Sequence, residues 1–387
     1  MNIVVVGSGL SSLPVVAAFS GNLVIISGGG TGAKKLYSED IPILSEFRKL
    51  GGLSNFWHGV IPTNAHHAYA VDDKSFISYF KQFYPRSSIE NYVGKNFSFV
   101  PRHPIKAGDY VLKLAGKAAV VNDWAVNIAS SDAISVIQMQ FSEMAVKKIY
   151  LAAGAIGTPR LVMRSMGIAD PHFTASDHII GCVGQIGRKE LAEVIDHRIE
   201  MADDGMYVPY ALSRCGKVQF TFRPARCDFR SLQKAVAWRA TFLGNHASIY
   251  KKLLKALSPG LVFESLYNRH GYFPDAGIYN IYYQTVLDKG VHVSNSGLVV
   301  NEAKVSRQLD LVWNAAATLL NNLALAQPNY APAIHLHHSM DESMLRMAFP
   351  AADVACVDPS TIIHTGPFHH SFLTAAMNNQ KAIAGAL

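Results

Sequence analysis

The chain opens on a segment that few folds accommodate, because an apolar β-branched run stops abruptly at two closely spaced glycines. Residues 3–6 predict a buried parallel strand, Gly7-Ser8-Gly9 predicts a turn, and the small apolar residues that follow predict a helix. Residues 22–27 then predict a second strand. This is the order of a Rossmann unit, in which Gly7 permits the tight turn and Gly9 lets a pyrophosphate approach the helix N-terminus.

Two positions differ from the usual dinucleotide-binding pattern. Ser12 occupies the third glycine position and is small enough for the helix to pack closely on the strand. Ser27 occupies the position of the acidic residue that normally holds a ribose hydroxyl. We expect both serines to lie at a dinucleotide site. A glycine turn in another α/β fold is the alternative interpretation of this segment alone.

Composition narrows the class of protein. The 387 residues are enough for one large or two medium domains, and 49% hydrophobic against 16% charged residues fits a well-buried α/β enzyme and not a disordered chain. The net charge of +7 comes without a Lys/Arg run, so we expect no nucleic-acid partner and read the charge as a basic surface or a mild preference for anionic ligands. Four scattered cysteines indicate a reducing compartment and no metal site.

The residues before Lys34 carry no charged side chain, a pattern that a signal peptide or membrane anchor shares. The basic segment of a signal peptide is missing, and Gly, Ser and Asn interrupt the apolar residues. A buried strand-turn-helix-strand explains the same pattern. We therefore expect a cytoplasmic protein with no stable membrane insertion.

Two further glycine segments occur later in the chain, one in a predicted loop and one in a strand-turn-helix context. Gly51-Gly52 precedes Ser54-Asn55 and an aromatic run, which predicts a loop lying close to a flat ligand, since glycines permit close approach and their amides donate. Residues 146–152 predict a buried strand that ends in a turn at Gly154. Thr158-Pro159 is then predicted to open a helix, because proline is tolerated in a first turn.

Near the end of the chain, an apolar strand leads into Val357-Asp358, a Thr-Gly-Pro turn and a pair of histidines before a small-residue helix. Together with the two glycine segments, this ending resembles the glucose-methanol-choline (GMC) family of flavoprotein oxidoreductases, in order and in spacing. The resemblance implies an FAD cofactor. It also implies that FAD is bound non-covalently, since Phe56 occupies the position of the histidine that some members link to the flavin.

The resemblance assigns roles to two groups of residues, those that bind the cofactor and those that carry out the reaction. It places the Gly51 segment beside the isoalloxazine, the backbone around Val126 at the adenine, Ala153-Gly154 near the pyrophosphate, and Asp358 at the ribityl chain, with a helix N-terminus facing the flavin. The implied cofactor residues are Gly7, Gly9, Ser12, Ser27, Gly51, Gly52, Ser54, Asn55, Val126, Ala153, Gly154, Asp358 and Ser371. The implied catalytic residues are His370 and His335.

The chemistry explains why histidines suit this role. Oxidising an alcohol removes a hydroxyl proton and transfers a hydride from the same carbon, and an imidazole with a pKa near neutrality can accept that proton. His335, His337 and His338 also suggest a metal site. No carboxylate or cysteine partner accompanies them in the sequence, so we expect no metal.

Between these motifs the pattern is less specific. Residues 60–118 are expected to form an insertion over the active site, and residues 180–310 to alternate strands with a helical stretch. The expected elements are strands at 118–128, 133–140, 217–223, 279–287, 291–294 and 298–300, and helices at 232–257 and 306–325.

We therefore expect an α/β protein with a discontinuous Rossmann-like FAD-binding domain and an α+β substrate domain built on an antiparallel sheet. The FAD domain comprises 1–60, 118–175 and 330–387, and the substrate or cap domain comprises 61–117 and 176–329. The expected reaction is oxidation of a CH–OH group in a sugar or polyol-like alcohol, with an electron acceptor that the sequence does not identify. An FAD-containing lyase or isomerase and a non-catalytic FAD-binding protein are the alternatives.

Overall fold

A computed structural model describes most of the chain. The described residues are 3–19, 23–28, 33–38, 41–47, 49–56, 59–116, 118–130, 135–195, 199–224, 278–295, 297–320, 325–330, 337–338, 340, 342–350, 353–358 and 371–386.

The strands are numbered in chain order. They are β1 Ile3–Val6, β2 Leu23–Ile26, β3 Ala33–Ser38, β4 Ile41–Phe47, β5 Ile61–Pro62, β6 Phe97–Pro101, β7 Ala119–Val121, β8 Ala125–Ser130, β9 Ser135–Met139, β10 Glu143–Val146, β11 Lys148–Leu151, β12 Phe173–Gly187, β13 Glu200–Ala202, β14 Gly205–Leu212, β15 Gln219–Pro224, β16 Ile278–Val293, β17 Leu298–Val300, β18 His337–His338 and β19 Asp353–Cys356.

The helices are numbered in the same way. They are α1 Leu13–Ala18, α2 Ala65–Tyr69, α3 Asp73–Phe80, α4 Ile89–Tyr92, α5 Ala107–Ala115, α6 Gly154–Ser165, α7 Arg188–Val194, α8 Glu302–Leu319, α9 Glu342–Ala348 and α10 Ser371–Ala386, with 3₁₀ turns at Leu10–Ser12 and Gly52–Phe56.

Five of the described strands form a parallel sheet in the order β19-β11-β1-β2-β7. β1 lies in the middle, and its four residues pair with Lys148–Leu151 on one side and Leu23–Ile26 on the other. Every residue of β2 is buried, and so are the last three of β1, as expected for strands covered on both faces.

The alternation of side chains along β1 and β2 separates two layers. Val5 and Ile25 pack into a core with α1, α5 and α10, whereas Val4 and Val24 pack on the opposite face with β8–β10 and α6. The parallel sheet is therefore a central layer, and all its strands present their carboxyl ends at one edge.

A second sheet is antiparallel throughout. Its order is β18-β12-β16-β15-β14-β6-β5, with β13 and β17 paired to β14 and β16. Phe220 and Ile281 of this sheet share a core with Val312 and Ala316 of α8. These observations confirm the predicted fold class, a mixed α/β protein with a Rossmann-like parallel sheet and an antiparallel sheet.

Three element predictions are wrong in detail. The predicted strand 118–128 is two strands: β7 completes the parallel sheet, whereas β8 pairs with β9 in a meander. The two strands predicted at 279–287 and 291–294 are one strand, β16, which contains Lys289 at φ 45°. Helix α6 begins at Gly154, so Pro159 lies in its second turn and the helix forgoes one backbone hydrogen bond there.

Two helix predictions remain, one inside and one outside the described residues. Helix α8 runs from Glu302 to Leu319, four residues earlier at its start than predicted, because the Asn301 side chain accepts from the Lys304 N–H and caps it. The helix predicted at 232–257 lies outside the described residues. Within the described part of the chain, no helix combines the length and the apolar character that a membrane span requires.

Candidate functional site

Four segments that lie far apart in the sequence meet at the carboxyl edge of the parallel sheet. Gly7 directly follows β1, Ser27 follows β2, Ala152 follows β11 and Val357 follows β19. Backbone hydrogen bonds continue the sheet past the strand ends, since the Gly7 N–H donates to the Ile26 oxygen and the Val357 N–H to the Leu151 oxygen. Ligands of open α/β sheets bind at this edge.

The turn after β1 contains two glycines with different environments. Gly7 has φ 106°, and a Cβ there would lie far inside contact distance of the Ala152 backbone. Gly9 has φ −76°, which any residue can adopt, and a Cβ at this position would meet no atom within 4 Å. The fold therefore requires glycine at position 7. At position 9, the missing side chain leaves open space next to the half-buried backbone of Gly9.

The loop at residues 51–55 repeats this arrangement. A Cβ on Gly51 would lie 2.6 Å from the Gly108 nitrogen, so this glycine lets the start of α5 pack closely on the loop. A Cβ on Gly52 would meet no atom within 4 Å. The first glycine of each pair thus serves packing, and the second borders open space.

Side chains hold the loop at residues 51–55 in shape. Ser54 Oγ donates to the Gly51 oxygen at 2.7 Å and accepts from the Ala107 N–H at 2.9 Å. Asn55 Nδ2 donates to the Gly52 oxygen at 2.8 Å, and Lys106 Nζ donates to the Asn55 oxygen at 2.9 Å. Burial lowers the pKa of Lys106. Ser54 and Asn55 therefore shape the backbone of this loop.

A chain of hydroxyls joins the two glycine loops. The Gly51 N–H donates to Ser8 Oγ at 2.8 Å, and Ser8 Oγ lies 2.7 Å from Ser27 Oγ. Both serines are buried. Ser12 is also buried, and its Oγ donates to the Gly9 oxygen at 2.7 Å, inside the turn. The predicted residues Ser12 and Ser27 therefore lie at the edge, bonded to protein atoms.

Asp358 is a junction of three segments. Its buried carboxylate accepts one hydrogen bond from the Ser11 hydroxyl, one from Thr158 Oγ1 at 2.6 Å and one from the Gly154 N–H at 2.7 Å. The Thr158 oxygen in turn accepts from the Ala153 N–H at 3.1 Å. The structure thus brings Ala153, Gly154 and Asp358 together. The amides expected to meet a pyrophosphate donate within the protein instead.

Burial is the main influence on the Asp358 carboxyl and raises its pKa, although the three donors act in the opposite direction. An acid with a raised pKa in the folded state contributes stability at low pH, and this contribution is lost as the pH rises through the folded pKa. Asp358→Asn does not titrate at this position. We therefore expect the stability advantage of the wild type over Asp358→Asn to shrink as the pH rises from acid to neutral.

Urea unfolding of both proteins across that pH range measures this difference. An advantage that grows with pH would mean that the bonds from Ser11, Thr158 and Gly154 outweigh burial. Asp310→Asn serves as the control, because it removes an exposed carboxylate from helix α8, away from this junction.

The other predicted residues lie in varied positions. Val126 is the extra residue of a β-bulge in β8, between the pairs Ala125–Met139 and Asn127–Gln138, and its side chain is 38% exposed. Ser371 is the first residue of α10, which contacts the 3₁₀ turn Leu10–Ser12 and α1. His335 and His370 lie outside the described residues, so their roles remain predictions.

The structure adds residues that the sequence reasoning did not single out. Ser8, Ser11 and Thr158 bond directly to Ser27 or to Asp358, and Lys106 bonds to the glycine loop. The signal for the serines was present, since polar residues interrupt an otherwise apolar segment directly after the first strand. For Thr158, the sequence pattern indicates only a place at the start of a helix.

No protein-family model and no curated protein matches the chain. Among solved structures, a fungal aryl-alcohol oxidase has 11% identity and a TM-score of 0.48, covering 99% of this chain and 98% of that one. CtdE, in complex with FAD and a substrate, has 8% identity and a TM-score of 0.40 over 99% and 80%.

The Diels-Alderase PyrE3 has 8% identity and a TM-score of 0.36, and this chain, covered to 99%, spans 66% of its length. Likenesses of this strength define neither a family nor a reaction for the chain.

Proposed function

We propose that this protein is an FAD-dependent oxidoreductase that oxidises a CH–OH group of a sugar or polyol-like alcohol. The observation that carries the cofactor assignment is the pair Gly9 and Gly52. Among the described residues, no atom lies within 4 Å of a Cβ built on either glycine. Both lie at the carboxyl edge of the parallel sheet, and the Ser8–Gly51 hydrogen bond joins their loops. Open backbone in two joined loops fits one extended ligand that crosses both.

The residues present fit a dinucleotide. Gly9 precedes the 3₁₀ turn and helix α1, whose N-terminus favours an anionic group such as a pyrophosphate. Gly52, on the adjoining loop, leaves room for a flat ring system against the backbone. Gly7–Ser12 and the Gly51 segment would hold the cofactor, and α10 packs against the same turn.

FAD supplies the acceptor for a hydride from the substrate carbon. The chain itself has to bind the alcohol, exclude water and accept the hydroxyl proton, and we propose His370 and His335 for that proton. We also propose the domain boundaries stated above and a cytoplasmic location. The resemblance of the motifs to the GMC family supports the alcohol chemistry.

Gly9→Val tests the cofactor site. A Cβ at this position lies more than 4 Å from the described atoms around it, so we expect an unfolding midpoint close to that of the wild type. We expect FAD affinity to fall at least about 100-fold, since a close backbone approach loses several contacts. FAD fluorescence titration and thermal unfolding measure the two quantities.

Ala17→Val is the control, because it places the same valine side chain at an exposed position of α1. It should leave both quantities unchanged. Full FAD affinity in Gly9→Val would contradict the proposed site.

Anaerobic screening tests the reaction. Protein loaded with FAD is mixed with sugars, polyols and simple alcohols, and the visible flavin band is followed. Bleaching by a CH–OH compound supports the oxidoreductase. Bound FAD that none of them bleaches, together with turnover of a substrate without net oxidation, would favour a lyase or isomerase.

A further inference from the structure

The polar groups at the carboxyl edge are already bonded to one another. Ser27 Oγ contacts Ser8 Oγ, Ser8 Oγ accepts from Gly51, and the Asp358 carboxylate accepts from three donors. These bonds join the turns after β1, β2, β11 and β19 through protein atoms alone. The edge is therefore preformed.

We propose that FAD is an exchangeable ligand of this protein, held mainly by backbone at Gly9 and Gly52, with a neutral serine in place of a carboxylate at position 27. The inference rests on the proposed function. It concerns how tightly the same site holds its cofactor, and it predicts that the protein is stable without flavin and that free FAD enters and leaves the folded site.

The adenosine end supplies the first argument. In dinucleotide-binding sheets, a carboxylate after the second strand accepts hydrogen bonds from the ribose. Position 27 carries a neutral hydroxyl here, and that serine is 6% exposed and bonded to Ser8. A hydrogen bond to a charged group at this place would change affinity about tenfold to a hundredfold, and position 27 does not supply it.

The second argument comes from Asp358 and the turn after β11. The Gly154 N–H and the Ser11 and Thr158 hydroxyls are donors at a place where an anionic ligand would use them, and all three donate to Asp358. A ligand gains little from donors that are satisfied already, because forming a new bond there breaks an existing one. The Asp358 carboxylate thus accepts the hydrogen bonds that an anionic ligand would otherwise accept from these donors.

Because the carboxyl edge is preformed, folding of the protein does not depend on binding of the cofactor. A ligand stabilises the folded state according to its concentration relative to its dissociation constant. A weakly held FAD added at low micromolar concentration therefore raises the melting temperature little. Loops that Ser54, Asn55 and Asp358 already hold in shape do not need flavin to become ordered.

The experiment uses the full chain, purified and then loaded with excess FAD. Gel filtration without added FAD is expected to remove most of the flavin, while the protein elutes unchanged in volume and helicity. Titration with FAD then restores binding with a micromolar dissociation constant. Flavin that remains stoichiometric through repeated gel filtration would overturn the proposal of exchange and leave the proposed function standing. No binding up to about 1 mM FAD would overturn the proposed function itself.

Variants at position 27 test the adenosine argument. Ser27→Ala is expected to leave FAD affinity within about twofold, since the hydroxyl bonds to Ser8. Ser27→Asp supplies the missing acceptor and is expected to tighten FAD at least fivefold while leaving riboflavin, which lacks the adenosine, unaffected. A tenfold loss in Ser27→Ala would overturn the proposal, and so would unchanged FAD affinity in a Ser27→Asp protein with the wild-type unfolding midpoint.

Discussion

Gly7→Ala is expected to destabilise the protein by more than about 4 kcal/mol, a large part of the roughly 5–15 kcal/mol by which a folded domain is ordinarily stable. Two costs add at this position. The φ of 106° is unfavourable for any residue with a Cβ, and the new methyl group would overlap the carbonyl of Ala152. The Gly7 Cα that would carry this methyl group and the Ala152 carbonyl both belong to backbone that is hydrogen-bonded to the sheet. Neither can move without breaking the Gly7–Ile26 and Ala152–Val6 hydrogen bonds.

The control separates the two costs. Gly94 also has a positive φ, 81°, but a Cβ there meets no atom within 4 Å. Gly94→Ala should therefore cost only the backbone term, about 1–2 kcal/mol. Expression level and urea unfolding of both variants measure the difference. A Gly7→Ala protein as stable as Gly94→Ala would show that β1 and β11 are not packed as described.

His370→Ala is expected to slow anaerobic flavin reduction by the substrate found in the screen about 10²- to 10⁴-fold, the usual contribution of a general base. FAD affinity should remain within about twofold. An imidazole that accepts the hydroxyl proton acts in its neutral form. The wild-type rate should therefore rise with pH through the range in which histidine titrates, and the rise should be absent in the variant.

Two neighbouring variants make the assignment specific. His369→Ala tests an error of one residue in the motif alignment, and His335→Ala tests the second proposed imidazole. Added imidazole should partly restore the rate of His370→Ala and not that of a variant with a misfolded site. Reduction of His370→Ala at the wild-type rate would remove this residue from the base role.

The sequence predicted the fold where local pattern and tertiary environment agree. Local sequence alone predicts β1, β11 and the glycine turns after them. A short β-branched run before a glycine turn fits few structures other than a buried strand. The α8 pattern predicted the helix but not its bounds, since a cap at Asn301 starts it one turn earlier and it ends at Leu319, before the predicted residue 325.

The site was less predictable because its bonds join residues that are distant in sequence. The motif predicts that Asp358 binds a ligand. The spacing of the motif does not show that the hydroxyls of Ser11 and Thr158, 347 and 200 residues away, donate to this carboxylate. The difference between Gly7 and Gly9 also depends on a neighbouring strand. No pattern of residues shows which of two glycines packs against backbone and which borders open space.

The order of the strands in the parallel sheet has a consequence for synthesis of the protein. The central strand β1 ends at Val6, but the outermost strand on its β11 side begins at Asp353. At typical ribosomal rates roughly 20–70 s separate their appearance. β1 has both of its strand partners once residue 151 is made, but β11 waits for β19, and the face of β1 that contains Val5 waits for α10, until translation is almost complete. A nascent chain arrested before residue 353 should bind hydrophobic-segment chaperones that the released chain does not.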